Sequence, residues 1–283
     1  MKVFNIIVIY NKLIDESRTC RTLKDILQNS TNQYVYIIDN STIDNVRIKN
    51  HAQCREREWK YLTEKENLGI SKAYNLAIRS IKEMSNENDV VVLLDDDTQL
   101  CIYYYLQLFS LMKDTSIDIA APYIIDQNGT IISPDNAGRL KNRFIKSKED
   151  AYKLTKFNAI NSCSAVRIRV YKEYAYDESL FLDLIDNKFY EDQRNLQRKF
   201  GVINCEIQHN IQLNSETDIN KIMDRYKIRV KDLKAFCHAL KISRITGFFK
   251  VLAWSVLEFY RHRNFQLSFR IMLLWFSNVQ MKG

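Results

Sequence analysis

The chain has 283 residues, of which 46% are hydrophobic and 27% charged, with only six glycines and two prolines. This composition excludes a disordered chain and argues against a loop-rich all-β protein, and the length allows one large domain, alone or with an appendage. The net charge of +8 favours an anionic partner without choosing among nucleotide, nucleic acid and acidic membrane. Six scattered cysteines without zinc-ligand spacing indicate reduced thiols in a cytosolic protein.

The first hundred residues alternate between buried strands and amphipathic helices. Strands are predicted over residues 3–10, 34–38 and 90–94, with helices over residues 16–28 and from Gly69 onward. Strand, helix and strand at this spacing form a βαβ unit, which is parallel and right-handed. No small-residue cleavage site follows the first apolar run, and no apolar run is long enough to span a bilayer, so we expect neither a signal peptide nor a membrane span.

Acidic residues follow two of these predicted strands. Asp39 ends the second strand, and Asp95, Asp96 and Asp97 directly follow the apolar run at residues 90–94. Ligands of open α/β sheets bind outside the carboxyl ends of the strands. Adjacent carboxylates repel one another unless a cation or a donor group relieves them, and oxygen ligands suit Mg²⁺ or Mn²⁺. The alternative interpretation is a solvated acidic turn.

The rest of the chain continues as mixed α/β and ends as helix. We predict a helix over residues 102–112, a strand over 117–123, a hairpin turn at 126–129 and a polar loop over 134–157. Residues 159–170 return to the core, and an acidic stretch follows at 177–201. A short strand over 202–207 leads to His209, and the pattern from residue 218 onward is helical.

Several of these segments together resemble family 2 glycosyltransferases. They lie at residues 7–11, 38–41, 66–70 with Ala73 and Asn75, and 93–97, while residues 161–163 and 177–186 are similar to the rhamnosyltransferase branch. The ordered match covers roughly residues 3–210 and is more specific than any one motif. It implies a GT-A fold, in which a Rossmann-like, mostly parallel α/β sheet is flanked by helices. Residues 1–215 would form this catalytic domain (nucleotide-binding half 1–100, acceptor-binding half 101–215), and residues 216–283 a C-terminal helical extension.

The resemblance also implies a donor site and a metal. Asp95 and Asp97 match the two ends of the DxD motif that holds Mn²⁺ or Mg²⁺, and His209 lies where relatives often place a histidine on the metal or diphosphate. Asp96 would face the sugar or ribose, and Asp39 would accept a hydrogen bond from the pyrimidine base. The remaining residues expected around the nucleotide-sugar are Tyr10, Asn11, Asn67, Gly69 and Asn75. An exposed helix N-terminus at Gly69 would favour a pyrophosphate.

Inverting transfer needs a general base that deprotonates the acceptor hydroxyl. Asp186 matches the position of that base, with Asp183 and Asp192 as alternatives. Two departures from the family pattern stand nearby: Lys188 replaces the second acid, and Asp192 replaces the expected arginine. A rival register uses Glu191 and Asp192, and some of these acids are expected only to cap a helix or pair with arginines.

The tail over residues 241–283 combines aromatic residues with seven basic residues and one acid, Glu258. Such helices suit an anionic membrane surface, and the alternative is packing on the catalytic domain or in a homodimer. The resulting hypothesis is a cytoplasmic enzyme, peripheral at the inner face of the cell membrane. It would transfer rhamnose from dTDP-rhamnose, or a hexose from a UDP-sugar, to a saccharide or lipid-linked acceptor in bacterial surface or capsular polysaccharide synthesis.

Three other functions compete with this one. A sugar nucleotidyltransferase needs a Gly-rich basic loop after the first strand, which residues 11–14 do not provide. A catalytically degenerate relative, acting as a nucleotide-sugar-binding or assembly subunit, is supported only by Lys188 and Asp192. Nucleic-acid binding is disfavoured because the basic residues are dispersed and form no recognised module.

Overall fold

The computed structural model of the protein describes residues 1–27, 32–138, 140–208 and 217–277. Its strands are β1 (Val3–Ile9), β2 (Gln33–Asp39), β3 (Lys60–Thr63), β4 (Val90–Leu94), β5 (Ile119–Ile125), β6 (Ile131–Ser133), β7 (Asp135–Asn136), β8 (Arg143–Phe144), β9 (Phe157–Asn158), β10 (Ser164–Arg167) and β11 (Phe200–Gln208). Its α-helices are α1 (Arg18–Leu27), α2 (Asp44–Glu56), α3 (Gly69–Lys82), α4 (Ile102–Leu111), α5 (Ile185–Asn195), α6 (Ile219–Ala239), α7 (Arg244–His262) and α8 (Phe265–Leu273).

A central sheet has the strand order β11-β5-β10-β4-β1-β2-β3, with β6 added beside β5. The strands β1 to β4 pair in parallel, and β11 pairs in parallel with β5. Among the described strands of this sheet, only β10 and β6 run antiparallel to their neighbours. The predicted mixed α/β fold with a mostly parallel sheet is therefore confirmed, and the carboxyl ends of β1, β2 and β4 meet at one edge.

Helices cover both faces of the sheet, which is why its central strands are apolar without alternation. On one face α1, α2 and α4 pack on inward side chains such as Ile7, Ile37 and Val92. On the other face α3, α5 and the C-terminal helices pack on their neighbours along the strands, such as Ile38 and Val91. All five residues of β4 are buried, so the acids that follow them emerge directly from the core.

The prediction of a loop over residues 134–157 is wrong in part. The short strands β8, β7 and β9 form a second sheet of three strands within and just beyond this stretch. Strands of two residues are too short to show an alternation of apolar and polar side chains, because that pattern needs four or more residues. The sequence patterns predicted neither α2 nor β3. In α2 only Asn50 and Cys54 are buried, so its sequence shows no apolar stripe.

The C-terminal helices bury one side in the core of the domain. Tyr226, Leu233, Val251, Trp254 and Ile271 belong to the same buried cluster as α3 and α5. Within the described ranges, no helix combines the length and apolar character that a membrane crossing requires. The C-terminal extension is thus part of the hydrophobic core on one side, and its other side is exposed to solvent.

Candidate active site

The three acids after β4 lie on a turn that is bonded to the start of α1. Thr19 donates through its backbone N–H to the Asp96 carbonyl (3.3 Å), and through its hydroxyl to the carbonyls of Asp95 and Thr98. The Ser17 hydroxyl also donates to the Asp96 carbonyl, at 2.7 Å. Because these donors satisfy the peptide groups of the turn, its backbone is fixed while the carboxylates extend into a cleft.

That cleft has a volume of about 420 Å³. The predicted site residues that line it are Asp95, Asp96, Asp97, Asp183 and Asp186. Five carboxyl groups around one cleft repel one another, so a bound cation or donor-rich ligand would be stabilised there. Asp95, Asp96 and Asp97 follow strand β4 of the sheet, whereas Asp183 and Asp186 lie at the start of α5.

Asp186 lies in the first turn of α5, next to Leu184, whose φ of 63° turns the chain into the helix. The backbone N–H of Asn187 donates to the Asp186 carboxylate at 2.7 Å. The Asp186 pKa is raised to about 7, mainly by burial and in smaller part by the carboxylates of Asp135, Asp183 and Asp95, while the Asn187 N–H acts to lower it. A carboxyl group that titrates near neutral pH is able to take and return a proton.

Asp183 and Asp192, the alternative bases, both hold cations. Asp183 accepts two hydrogen bonds from the Arg225 guanidinium, one of them at 2.6 Å, and both residues line the cleft. Asp192 accepts two hydrogen bonds of 2.6 Å from Lys188 and does not line the cleft. Among the described residues, Asp186 thus lines the cleft without an ion pair, whereas Lys188 neutralises Asp192 within α5. Which of the three acids is the base stays a prediction.

The Asp183 segment is anchored to α6 by a buried carboxylate. Asp232 is fully buried and accepts the backbone N–H groups of Phe181 (2.9 Å), Leu182 (2.7 Å) and Asp183 (2.7 Å). Burial raises the Asp232 pKa, and the three donors lower it. Arg225 and Asp232 belong to the C-terminal extension, and sequence reasoning missed both, because nothing in a helical pattern marks which polar residue reaches a distant loop.

The residues expected near the nucleotide base lie at the ends of β1 and β2. Asp39 is fully buried and accepts from the Ser41 N–H (2.9 Å), the Asn50 amide (2.9 Å) and the Tyr61 hydroxyl (3.0 Å). Tyr10, directly after β1, is half exposed. Asn11, at φ 47°, donates its N–H to the Ser41 hydroxyl. Asp39 thus holds the end of β2 to α2 and β3 through hydrogen bonds. Its contact with a nucleotide base stays a prediction.

The N-terminus of α3 is capped by other groups of the protein. Gly69 has φ 71°, and a Cβ there would lie 2.5 Å from the Phe181 ring. The next N–H, that of Ile70, donates to the Phe181 carbonyl at 2.7 Å, and the Asn67 side chain accepts the Gly69 N–H. The expectation of an exposed helix N-terminus is therefore wrong, because a carbonyl occupies the place of a phosphate.

Asn75, in the middle of α3, holds the segment that leads to the acids of the cleft. Its amide donates to the Tyr176 carbonyl (3.0 Å) and to Glu178 (3.1 Å), and its side-chain oxygen accepts the Tyr176 N–H (2.9 Å). Asn75 is buried and is not among the residues that line the cleft. These contacts give it a positioning role, and donor binding by Asn75 stays a prediction.

The metal ligands were predicted as Asp95, Asp97 and His209. His209 lies outside the described residues. Within the ranges that the structure does describe, no group of three His, Cys, Asp or Glu side chains is arranged to hold a metal ion. Asp96 pairs with Lys12 at 2.5 Å. Asp95 and Asp97 still fit Mg²⁺ or Mn²⁺, since such ions commonly bind through one or two carboxylates plus phosphate oxygens of the substrate.

Fold and site together define a GT-A type transferase, whose acidic cleft opens at the carboxyl edge of a mostly parallel sheet. The sequence model described as "Glycosyl transferase family 2" matches residues 5–175, more than half of the chain. The chain belongs to this family of glycosyltransferases, which use nucleotide sugars. No curated protein matches it in sequence.

Solved structures of TarS from S. aureus share the fold. The chain is 16% identical to TarS with a TM-score of 0.51, covering 82% of this chain and 40% of that one. TarS 1–349 in complex with UDP gives 16% identity and a TM-score of 0.52, over 82% of this chain and 65% of that one. TarS 1–349 without a named ligand gives 15% identity and a TM-score of 0.52, over 98% of this chain and 71% of that one. The chain therefore spans less than half of the first of these proteins, and the likeness concerns the fold.

Proposed function

We propose that this chain transfers a sugar from a nucleoside diphosphate to an acceptor hydroxyl, with inversion at the transferred carbon. The observation that carries the proposal is the position of Asp186, which lines the same cleft as Asp95, Asp96 and Asp97. Inversion in a single displacement needs a base on one side of the sugar and a stabilised diphosphate on the other. One cleft holds candidates for both roles.

Asp186 acts in this proposal as the general base. Its pKa of about 7 keeps a large fraction ionised at neutral pH while leaving it basic enough to accept a proton from a hydroxyl. The N–H of Asn187 orients the carboxylate. Asp183 holds Arg225 at the rim of the cleft, where the guanidinium would meet the negative charge of a diphosphate.

Asp95 and Asp97 would hold Mn²⁺ or Mg²⁺ with the phosphate oxygens of the donor. When bound, such an ion neutralises the charge that develops on the leaving diphosphate. Asp96 keeps Lys12 beside the turn, at 2.5 Å, and so places a further cation near the diphosphate. Ser17 and Thr19 hold the turn in place and are positioning residues in this scheme.

The donor and acceptor are proposed on the resemblance to the rhamnosyltransferase branch. dTDP-rhamnose is the first candidate donor, and a UDP-hexose the second, which the UDP and UDP-GlcNAc complexes of the similarly folded TarS support. The acceptor is a saccharide or a lipid-linked glycan of bacterial surface or capsular polysaccharide synthesis. The competing proposal is a degenerate family member that binds the nucleotide sugar without transferring it.

A thermal-shift panel tests the proposal and separates it from the degenerate member. The protein is melted with dTDP-rhamnose, UDP-glucose, UDP-GlcNAc and GDP-mannose, each with and without Mn²⁺, because a ligand that binds only the native state raises the melting temperature. Release of the nucleoside diphosphate is then measured with the stabilising donor. Stabilisation with slow hydrolysis supports an enzyme, stabilisation with no release at all supports the binding subunit, and no shift with any donor refutes both.

We also propose that α7 and α8 dock on an anionic membrane surface at the cytoplasmic face. Both helices expose an apolar stripe opposite their buried sides, and we call the two stripes together the apolar face. Its residues are Ile245, Phe249, Val256, Tyr260, Phe265, Phe269, Leu273 and Phe276, each 44% to 71% exposed. Reciprocal hydrogen bonds of 2.7 and 2.6 Å between Ser255 and Ser268 hold the helices together.

Charge supports a membrane rather than a second copy of the chain as the partner of the apolar face. Arg244, Arg263 and Arg270 are exposed along α7 and α8, whereas Glu258 is buried and paired with Arg261 and His262. Aromatic side chains enter the interfacial region of a bilayer, and arginines attract anionic headgroups by on the order of 1 kcal/mol each. Two copies meeting through this face would bring like charges together.

Co-sedimentation with anionic and neutral vesicles over a salt series tests this docking. Truncation near Lys241 is unsuitable, because Val251 and Trp254 belong to the core. The variant F249S/F265S is used instead, with Y152S as control, since Tyr152 is 70% exposed elsewhere on the molecule. We expect salt-sensitive binding of wild type and control to anionic vesicles, and loss with F249S/F265S. Negligible binding by all three, with a dimer in solution, would assign the face to self-association.

A further inference from the structure

A second cavity adjoins the acidic cleft and is basic where the cleft is acidic. It lies between the small sheet β7–β9 and the helices α5, α6 and α7, as two hollows of about 590 and 270 Å³. The hollows share Gly138, Asn187 and Phe236. Leu184 lines both the larger hollow and the acidic cleft. We call the two hollows the basic cavity, and Asn187, which lines both of them, directly follows Asp186 in the chain.

Cations without acidic partners line the larger hollow. Lys141, Arg143 and Lys250 are among its lining residues, and among the residues that the structure describes none of the three forms an ion pair. Lys250 donates to the Leu140 carbonyl at 2.8 Å. Burial lowers the Lys250 pKa, and the nearby positive charges of Arg229 and Lys141 also lower it. Because these neighbours repel a further positive charge, the potential around Lys250 is positive.

Asp135 is the acid that lines this hollow, and its carboxylate is already engaged. The amide groups of Asn158 and Asn142 each donate to it at 3.0 Å. Burial raises its pKa to about 6. The carboxylate therefore orders the amides of Asn158 and Asn142 and does not pair with the lysines and the arginine that line the same hollow.

The smaller hollow contains a polar atom that is buried without a partner. Asn158 is 3% exposed and lines this hollow, and its side-chain oxygen accepts no hydrogen bond from any described residue. A buried acceptor of this kind is costly unless a ligand or water supplies a donor. Sugar hydroxyls are such donors, and Phe144, 59% exposed at the larger hollow, offers an aromatic surface on which a sugar ring packs.

We propose that the basic cavity binds an acceptor saccharide that carries an anionic group. The amides of Asn158 and Asn187 meet the sugar, and Lys141, Arg143 and Lys250 meet a carboxylate or a phosphate on a neighbouring position. A saccharide bound in this way extends past Leu184 and presents a hydroxyl to Asp186. The inference rests on the proposed function for its direction of transfer, but the binding itself does not require turnover.

Three matched disaccharides test the inference by titration calorimetry, at low salt and with UDP and Mg²⁺ present to fill the nucleotide site. They are cellobiose, its 6′-phosphate and its 6′-carboxylate. We expect the anionic sugars to bind at least about tenfold more tightly than cellobiose, and the preferred anion identifies the acceptor as a phosphorylated glycan or a uronic acid. Raised salt should weaken the binding of the anionic sugars alone.

The variant K141Q/R143Q removes two exposed cations of the basic cavity, and K113Q/K146Q removes two exposed lysines that do not line it. We expect the first variant to lose about fivefold or more in affinity for the preferred anion, and the second to bind as wild type does. Equal affinity for all three sugars, no binding of any, or equal losses in both variants would overturn the inference. Donor hydrolysis, measured separately, tells whether the proposed function fails with it.

Discussion

Replacing Asp186 with asparagine should stabilise the protein and abolish transfer. The Asp186 carboxyl is partly buried beside three other carboxylates, and its pKa is raised to about 7 from an ordinary value of 3.8. Asparagine has the same shape, keeps an oxygen that accepts the Asn187 N–H, and carries no charge at any pH. The substitution therefore removes the charged form that the site disfavours, together with the proton acceptor that the reaction needs.

The sign and size of the stability effect follow from the shifted pKa. Because the pKa is higher in the folded state than in the unfolded state, ionisation of Asp186 destabilises the fold. This penalty is absent below about pH 4, grows as the pH rises and is complete above about pH 7. The distance from 3.8 to about 7 corresponds to at most ~4 kcal/mol, which solvent screening of a partly exposed group reduces to roughly 1–2 kcal/mol.

Thermal unfolding of wild type, Asp186→Asn and Asp192→Asn at pH 5 and pH 8, without metal or donor, measures this effect. We expect Asp186→Asn to melt higher than wild type at pH 8, by about 2–6 °C, with a smaller gain at pH 5. Asp192→Asn breaks an ion pair with Lys188 and should give no gain. An Asp186→Asn protein that melts lower than wild type at pH 8 would refute the buried-carboxylate reasoning.

The rate of transfer should also depend on the ionisation of Asp186. The ionised form, which destabilises the fold, is the form that should be active. The base acts in its ionised form, so kcat/KM should rise with pH around an apparent pKa near 7 and fall to about a tenth of its plateau at pH 6. Asp186→Asn should show no pH-dependent transfer at all. Normal turnover by Asp186→Asn, together with an inactive Asp192→Asn, would show that the rival register holds the base.

Three further substitutions probe the donor side and the fold. Asp97→Ala should lose Mn²⁺-dependent donor binding in thermal shift while keeping the melting temperature of the apoprotein, since Asp97 is exposed at a strand end. Arg225→Gln should raise the KM for the donor about tenfold, because it removes a cation and leaves Asp183 unpaired, and Arg225→Lys should recover part of the loss. Gly69→Ala should lower the unfolding free energy by on the order of 2–4 kcal/mol in a denaturant titration, because a Cβ would collide with Phe181 and φ is 71°.

The sequence predicted the parts of the fold that carry a strong local signal. The five apolar residues of β4 and the acids after them could be placed because a doubly buried strand and a carboxylate cluster are both readable in one dimension. The hairpin between β5 and β6 followed from its turn residues. By contrast, α2 has little apolar surface to reveal it, and β7 and β8 are too short for any periodicity.

The contacts that shape the candidate site could not be predicted, because they join distant parts of the chain. Asp232 on α6 holds the backbone of residues 181–183, and Arg225 pairs with Asp183 across 42 positions. The closure of α3 by Phe181, through the Ile70 N–H, joins residues that are still farther apart in sequence. Neither periodicity nor a motif specifies such pairs. The resemblance supplied Asp186, and the structure supplies the shared cleft and the burial that raises the pKa of this residue.

The central claim is that the acidic cleft binds the diphosphate of a nucleotide sugar through Asp95 and Asp97. Calorimetric titration of UDP and dTDP into wild type and Asp97→Ala, each with and without Mn²⁺, tests it most directly. We expect one nucleotide to bind wild type with Mn²⁺ at least about tenfold more tightly than without it, and Asp97→Ala to lose this gain. Binding that is equally tight with and without metal, or unchanged in Asp97→Ala, would contradict it.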